Sequence, residues 1–384
     1  MKRLAVIGAS YLQLPLIEKA KSLGYETHVF AWQAGDVGEE AADVFHPISI
    51  LEKEAVLEAC RPLGLCGVCT IGTDLGAVTA NYVAHALGLP CNSPEASFRA
   101  SNKHAMRRAF EGGGDPSPRS VAVRSPEEAA EKIRDFVYPI IVKPTDRSGS
   151  RAITRLESPE GLEAAVKAAL AVSFEKQAVV EEYAEGVEYS VECASQGGHH
   201  HLLAITRKYT TGAPHFIEIG HIEPAPLSPF TVQKVRWVVF HALDSLGITD
   251  SISHTELKIR DNDRIALIEI GGRMGGDCIG THLVPLTTGV DFVKCAIDLA
   301  VGNPLDLSLA PGAKTGLAMV RFVLGPQDLE VLARAEAEHP DWLVEKSEMA
   351  PFDHQVEDSG SRYGYFILRC GRGESLSPYL PGED

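Results

Sequence analysis

The stretch SHTELKIRDNDRIALIEIGGRMGGD, residues 253–277, decides how the rest of the chain is read. Two apolar runs with alternating polar positions flank DNDR, whose Asp and Asn supply a turn, so the segment reads as a hairpin. Side chains alternate along a strand, which puts Glu256 and Lys258 on one face of the first run. On the second run the same rule puts Glu269, Gly271 and Arg273 to one side. If the turn pairs the two runs, Glu256 and Glu269 converge. Hard carboxylate oxygens beside a phosphate chain are what Mg²⁺ takes as ligands, and Arg273 could then stabilise charge on a transferring phosphoryl group. A solvated hairpin with ordinary cross-strand pairs is the bland alternative, but a glutamate running into GGRMGG is poor decoration for one.

Upstream, further chemistry-bearing pieces follow a fixed order. Lys103 lies in SNKHAMRRAF, and Lys143 closes the apolar run of YPIIVKPTDRSGSR. An amine with a small-residue loop five residues later, Ser148, Gly149 and Ser150, can neutralise phosphate oxygens through side chain and backbone N–H groups, and the loop can act as a lid. It is not a P-loop. VVEEYAEGVEYSVE follows, then LLAITRKYT with Arg207 and Lys208, then HFIEIGHIEPAP with Glu218 and His221. The run QGGHHH, ending in His199, His200 and His201, reads as an exposed turn rather than a metal cluster, because adjacent side chains on a strand alternate.

The amino-terminal portion has a different character. LAVIGASYLQLPLIEKAKSLGYETHVF, residues 4–30, runs strand, small-residue turn, helix, strand. GASYLQ lacks GxGxxG spacing, and Tyr11 and Leu12 stand where a dinucleotide's phosphates need small residues, which argues against a nicotinamide site. A plain strand-to-helix turn or a carboxylate-binding loop remain as readings. Helices near 52–60 and 74–87 alternate with a strand near 65–70, giving an open α/β domain with a parallel sheet. We place its end near residue 100, a second unit at 101–305 with a lid at about 120–185, and a small carboxy-terminal unit at 306–384. Helices are expected at 228–246 and 288–301.

The chain of 384 residues is long enough for two or three cores. Its formal charge of −16 disfavours non-specific nucleic-acid binding. Eight scattered cysteines read as core thiols in a reducing compartment, and Cys66 and Cys69 have zinc-like local spacing without a second such pair. No apolar run reaches membrane-spanning length and no signal-type segment opens the chain, so a cytoplasmic location is expected.

Taken in order, the motifs resemble the ATP-grasp carboxylate–amine ligase superfamily, and most of all bacterial L-amino-acid ligase-type members. The resemblance spans about residues 4–300 and rests on the QLPLIxKAKxxGY opening, IGTD, NK, VKP, EEYxxGxExS and the glutamate pair. It implies a parallel α/β domain, an ATP-grasp fold and a completing carboxy-terminal subdomain. It implies ATP and Mg²⁺, with Mn²⁺ as the alternative metal, small carboxylate and amine substrates, and a homodimer. By position, Lys103, Lys143 and Ser148–Ser150 would contact phosphates. Glu181, Glu182, Tyr183 and Ala184 would line the adenine, Glu188 the ribose, and Glu256 and Glu269 the metal. Arg273, Lys143 and Lys208 would carry the chemistry, with Glu218, His221, Arg273, Asp277 and His282 around the substrates. Arg273 has two candidate jobs, the acyl phosphate or the acceptor's carboxylate. Many relatives carry Asn where Gly271 stands, so either water or a neighbouring group such as Asp277 takes its place at the second metal, or that metal is held differently. The implied reaction joins an amino acid to an amino acid or small amine. A carboxylase, a nucleotide-biosynthesis ligase and a silent ATP-binding protein stay open beside it.

Overall fold

A computed structural model describes residues 2–147, 151–213, 215–310, 312–313 and 315–382. The expected lid residues Ser148, Gly149 and Ser150 lie outside the described residues.

Four parallel strands, β1 (Lys2–Ile7), β2 (Tyr25–Phe30), β3 (Val44–His46) and β4 (Leu65–Cys69), form the first sheet in the order β3-β2-β1-β4. Leu4, Val6, Val29 and Cys69 bury one face of it against helices Leu14–Ser22 and Phe292–Ala300. The turn after β1 is plugged by its own sequence. Gly8 has φ +104°, and a Cβ there would come within 2.8 Å of Gln13 Oε1. The buried Gln13 side chain accepts from Ser10 N and Oγ at 3.1 and 2.8 Å, and donates to Ile71 O at 2.6 Å. Two donors that a phosphate or carboxylate could have used are therefore already spent.

The second sheet is antiparallel, in the order β5-β8-β6-β7, with β5 Ser120–Val123, β6 Ile140–Pro144, β7 Thr154–Leu156 and β8 Ala178–Glu182. Two helices, Pro126–Lys132 and Leu162–Val172, cover one face over a core that includes Val123, Ile140, Val142 and Val180.

The third sheet has eight strands in the order β13-β12-β9-β10-β11-β14-β16-β15. Its strands are β9 Val187–Gln196, β10 His199–Thr210, β11 Glu218–Glu223, β12 Ser251–Ile259, β13 Ile265–Gly271, β14 Leu317–Val323, β15 Leu343–Lys346 and β16 Gly364–Cys370. The hairpin of residues 253–277 is β12–β13, and Glu256 stands opposite Glu269 in its register. Helices Lys103–Gly113 and Pro229–Leu246 share a core with this sheet through Met106, Phe110, Val235 and Leu243. The carboxy-terminal strands extend the same sheet, because β14 pairs with β11.

Two local expectations are corrected. The triple histidine opens β10 and the turn is Gly197–Gly198, with φ +57° and +76°. There His200 is held by Ser195 at 2.7 Å and Asp244 at 3.1 Å. Lys208 lies inside β10. The helix expected at 288–301 is present but starts later, as Phe292–Ala300, because Gly289 at φ +78° is the left-handed C-cap of a separate helix, Val284–Thr288. The eight cysteines are free.

Candidate active site

The second sheet, on the side where the lid was expected, faces the large sheet across a cavity of about 120 Å³. Its apolar walls come from both sides: Ile141 and Ile153 from the lid, Ile268 from β13, and Phe216. Such facing surfaces suit a flat ring. The polar wall holds Lys103 and Lys143 with Glu181, Glu188, Glu256 and Glu269.

Each of these side chains has a local reason for its place. Asn102 caps helix Lys103–Gly113 by accepting from Ala105 N at 3.0 Å. The Lys103 amide donates to Thr145 O at 2.8 Å, fastening that helix to the end of β6. Lys103 Nζ then reaches Glu269 Oε1 at 2.9 Å and Arg147 O at 2.7 Å. Lys143, the last side chain of β6 before Pro144, meets Glu181 Oε2 at 2.7 Å. Arg107, one turn along from Lys103, closes on Glu181 Oε1 at 2.8 Å and on Ile268 O at 2.7 Å. Burial would raise the Glu181 carboxyl, but Arg107 and Lys143 overcome it and hold it at about 2. Burial pushes the Lys143 amine down, with Glu181 opposing and Arg107 and Lys103 adding to the fall.

On the large sheet Lys208 gathers three carboxylates, Glu256 at 2.6 Å, Glu188 at 3.1 Å and Glu218 at 3.6 Å. These hold its ammonium form well above the ordinary lysine range against the opposing effect of burial. Across β9 and β12, Glu192 pairs with His254 Nδ1, and His254 Nε2 stands 3.5 Å from Glu256 Oε1. Burial opposes the charge on His254, yet Glu192 and Glu256 raise it to about 9. Gly275 is pinned here too. Its N–H donates to Glu192 at 3.3 Å, and a Cβ would come within 2.6 Å of His254.

Arg273 reaches back to the first domain. Its guanidinium makes a bidentate pair with Asp74, at 2.6 and 3.1 Å, across 199 positions of sequence. A Cβ on Gly271 would stand 3.0 Å from Asp74 and 3.1 Å from Arg273. That crowding gives a reason for glycine at a position where Asn was the expected alternative.

The structure thus brings Lys103, Lys143, Glu181–Ala184, Glu188, Glu218, Glu256 and Glu269 around one cavity, with Lys208 bonded to three of its walls. Two expected substrate residues, Asp277 and His282, each carry an ion pair of their own. Both Asp277 oxygens pair with Arg362, at 2.6 and 3.2 Å. His282 pairs with Glu345 at 3.2 Å. His221 is wholly buried beside Phe322. Sequence reading missed Asp74, Arg107, Glu192, His254 and Arg362 as site members. IGTD was the available signal for Asp74, and HTELK for His254. Arg107 and Arg362 carried none, being paired only through the tertiary fold.

Among the described residues no group of three or more His, Cys, Asp or Glu side chains could by itself hold a metal. The two facing carboxylates still fit Mg²⁺, which takes hard oxygens, commonly one or two carboxylates, with phosphate and water completing its shell.

Residues 136–281 match the family model described as an ATP-grasp domain. Among curated proteins it is similar to alanine–anticapsin ligase from Bacillus subtilis, 27% identical over 310 residues, covering 71% of this chain and 64% of that protein. The chain therefore spans a little under two thirds of that relative's length. It is also similar to D-alanine–D-alanine ligase from Paracidovorax citrulli, 27% identical over 233 residues, covering 57% of this chain and 68% of that one. Among solved structures, L-amino acid ligase from Bacillus licheniformis superposes with a TM-score of 0.80 at 22% identity, over 99% of this chain and 96% of the other. Phosphoribosylglycinamide synthetase from Anaerococcus prevotii gives 0.76 at 21%, over 98% and 95%. At these identities the superpositions establish the ATP-grasp fold.

Proposed function

We propose that the chain is an ATP-dependent carbon–nitrogen ligase that joins an amino acid to an amino acid or small amine. The carboxylate of one substrate attacks the ATP γ-phosphate to give an acyl phosphate and ADP. The amine of the second attacks that carbonyl, and inorganic phosphate leaves as the amide forms. The observation that carries this reading is the pairing of opposite charges in the cavity: Lys103 on Glu269 and Lys208 on Glu256. Each lysine now serves as counter-ion to a candidate metal ligand. A triphosphate would give the lysines their own anions and leave Glu256 and Glu269 free as oxygen donors. Mg²⁺, which those two glutamates would hold, supplies charge neutralisation at the phosphates.

In this reading Lys103 and Lys143 orient the phosphates, and Arg107 and Glu181 fix the position of the Lys143 amine. The isoleucines of the two sheets enclose the adenine beside Tyr183 and Ala184. Arg273, held in orientation by Asp74, stabilises negative charge at the transferred phosphate or the oxyanion. The expected loop at 148–150 would exclude water from the acyl phosphate. A homodimer and a cytoplasmic location belong to the same proposal.

The test is phosphate release from Mg-ATP across single amino acids, amino-acid pairs and small acids, with product masses read in parallel. Pair-dependent release, with a product one water lighter than the two substrates, supports the reading. Bicarbonate-dependent release would favour the carboxylase alternative, and ATP binding without turnover the silent one.

A further inference from the structure

Beside the nucleotide cavity lies a second cluster built from four parts of the fold. Asp277 follows the Gly275–Gly276 turn after β13, Arg362 precedes β16, His221 sits in β11, and Tyr11 stands in the turn after β1. Arg362 grips Asp277 bidentately, and its Nη1 also donates to Glu218 O at 3.3 Å. Glu218 lines the nucleotide cavity, so this cluster adjoins the phosphate end of the site through a single residue.

Four observations point to a ligand here. The guanidinium lies behind its partner: the Arg362 side chain is 6% exposed and the Asp277 side chain 22%. The face of Phe322 backs the guanidinium at 3.6 Å, and Asp277 lies on its edge. Asp277 and Cys278 are consecutive residues at φ +51° and +63°, a left-handed pair that costs energy outside glycine and collects at ligand-binding sites. His221 is wholly buried and makes no hydrogen bond from either ring nitrogen among the described residues, although its Nε2 stops 4.0 Å from Asp277 Oδ2. A buried imidazole whose nearest charged partner stands beyond hydrogen-bond reach is a costly arrangement. A shift of Asp277 by about an ångström would give it one, taking that gap to hydrogen-bond length. Tyr11 lies close enough for Asp277 and Arg362 both to bear on its hydroxyl, and more than half of its surface is open, so it walls the approach.

We propose that Arg362 receives the free carboxylate of the amine-donating substrate, and that Asp277 stands in for this carboxylate until it arrives and then transfers to His221. This rests on the ligase reading above and narrows it. The amine substrate is an α-amino acid rather than a simple amine, and Arg273 is left to the phosphate.

The experiment compares the twenty amino acids with their amides as amine donors, in Mg-ATP phosphate release, for the wild type, Arg362→Lys and Asp277→Asn. Lysine keeps the charge but not the bidentate fork. The expected result is a KM for the free acid at least tenfold higher in Arg362→Lys, with KM for ATP unchanged. Turnover of the matching amide, poor in the wild type, should fall no further. In Asp277→Asn, Arg362 is left without its stand-in, and the free acid should gain on the amide. Equal losses for acid and amide in Arg362→Lys, which misfolding would also give, overturn the proposal. So does a wild type that uses amide and acid alike. Absence of any amine-dependent release in the wild type, with ADP still bound, sinks the ligase reading itself and this proposal with it.

Discussion

Glu181→Gln tests the cluster that positions Lys143. The native carboxylate is 1% exposed and lies between two buried cations, at 2.8 Å from Arg107 and 2.7 Å from Lys143. Its pKa falls from 4.5 to about 2. That difference of about 2.5, at about 1.36 kcal/mol for each tenfold, corresponds to about 3 kcal/mol. Removing one partner of a buried ion pair costs about 3–5 kcal/mol, which agrees. The folded pKa is depressed, so the stabilisation is present above pH 4.5 and is lost as pH falls toward 2. At pH 3 about 2 of those 3 kcal/mol are gone, by the same linkage. Hydrogen exchange of peptides spanning β8 reads the opening free energy of the lid directly. The variant should open more easily than wild type by about 3 kcal/mol at pH 7 and by about 1 kcal/mol at pH 3. A gap under about 1 kcal/mol at pH 7, or one that does not narrow at pH 3, would refute the reasoning.

Three further outcomes follow from the same geometry. Gly271→Asn, which installs the side chain that the family resemblance implied at this position, should lower turnover rather than raise it. Its Cβ must push on Asp74 and Arg273, at an overpacking cost of about 1–3 kcal/mol read by thermal unfolding. Arg273→Lys keeps the charge and loses the fork on Asp74. Its kcat in the phosphate-release assay should drop by about a hundredfold or more, with KM for ATP changed little. His254 is raised from 6.5 to about 9, so its contribution is present below pH 6.5 and lost as pH rises through 9. Urea unfolding of the wild type between pH 6.5 and 9.5 should show that loss, and His254→Asn should flatten it.

Sequence and structure divide this molecule along a physical line. Strand alternation and the DNDR turn fixed the β12–β13 hairpin, and with it the facing of Glu256 and Glu269, because the register of a hairpin is a short-range property. Apolar periodicity likewise marked the parallel first sheet and helix Pro229–Leu246. The triple histidine was misread because two glycines ahead of it took the turn and freed it to pair as a strand.

What the sequence could not carry was the partner of each charge. Asp74 and Arg273 are 199 positions apart, Arg107 and Glu181 74, and Asp277 and Arg362 85. Sequence by itself determined which residue types could hold a nucleotide and in what order they come. Only the tertiary structure decided that Lys208 holds Glu256, that Gly271 is glycine for want of space beside Arg273, and that Arg362 waits behind Asp277. The reason is that a buried charge must be countered by whatever the packing of separate elements brings to it, and that packing is set by long-range burial rather than by neighbours along the chain.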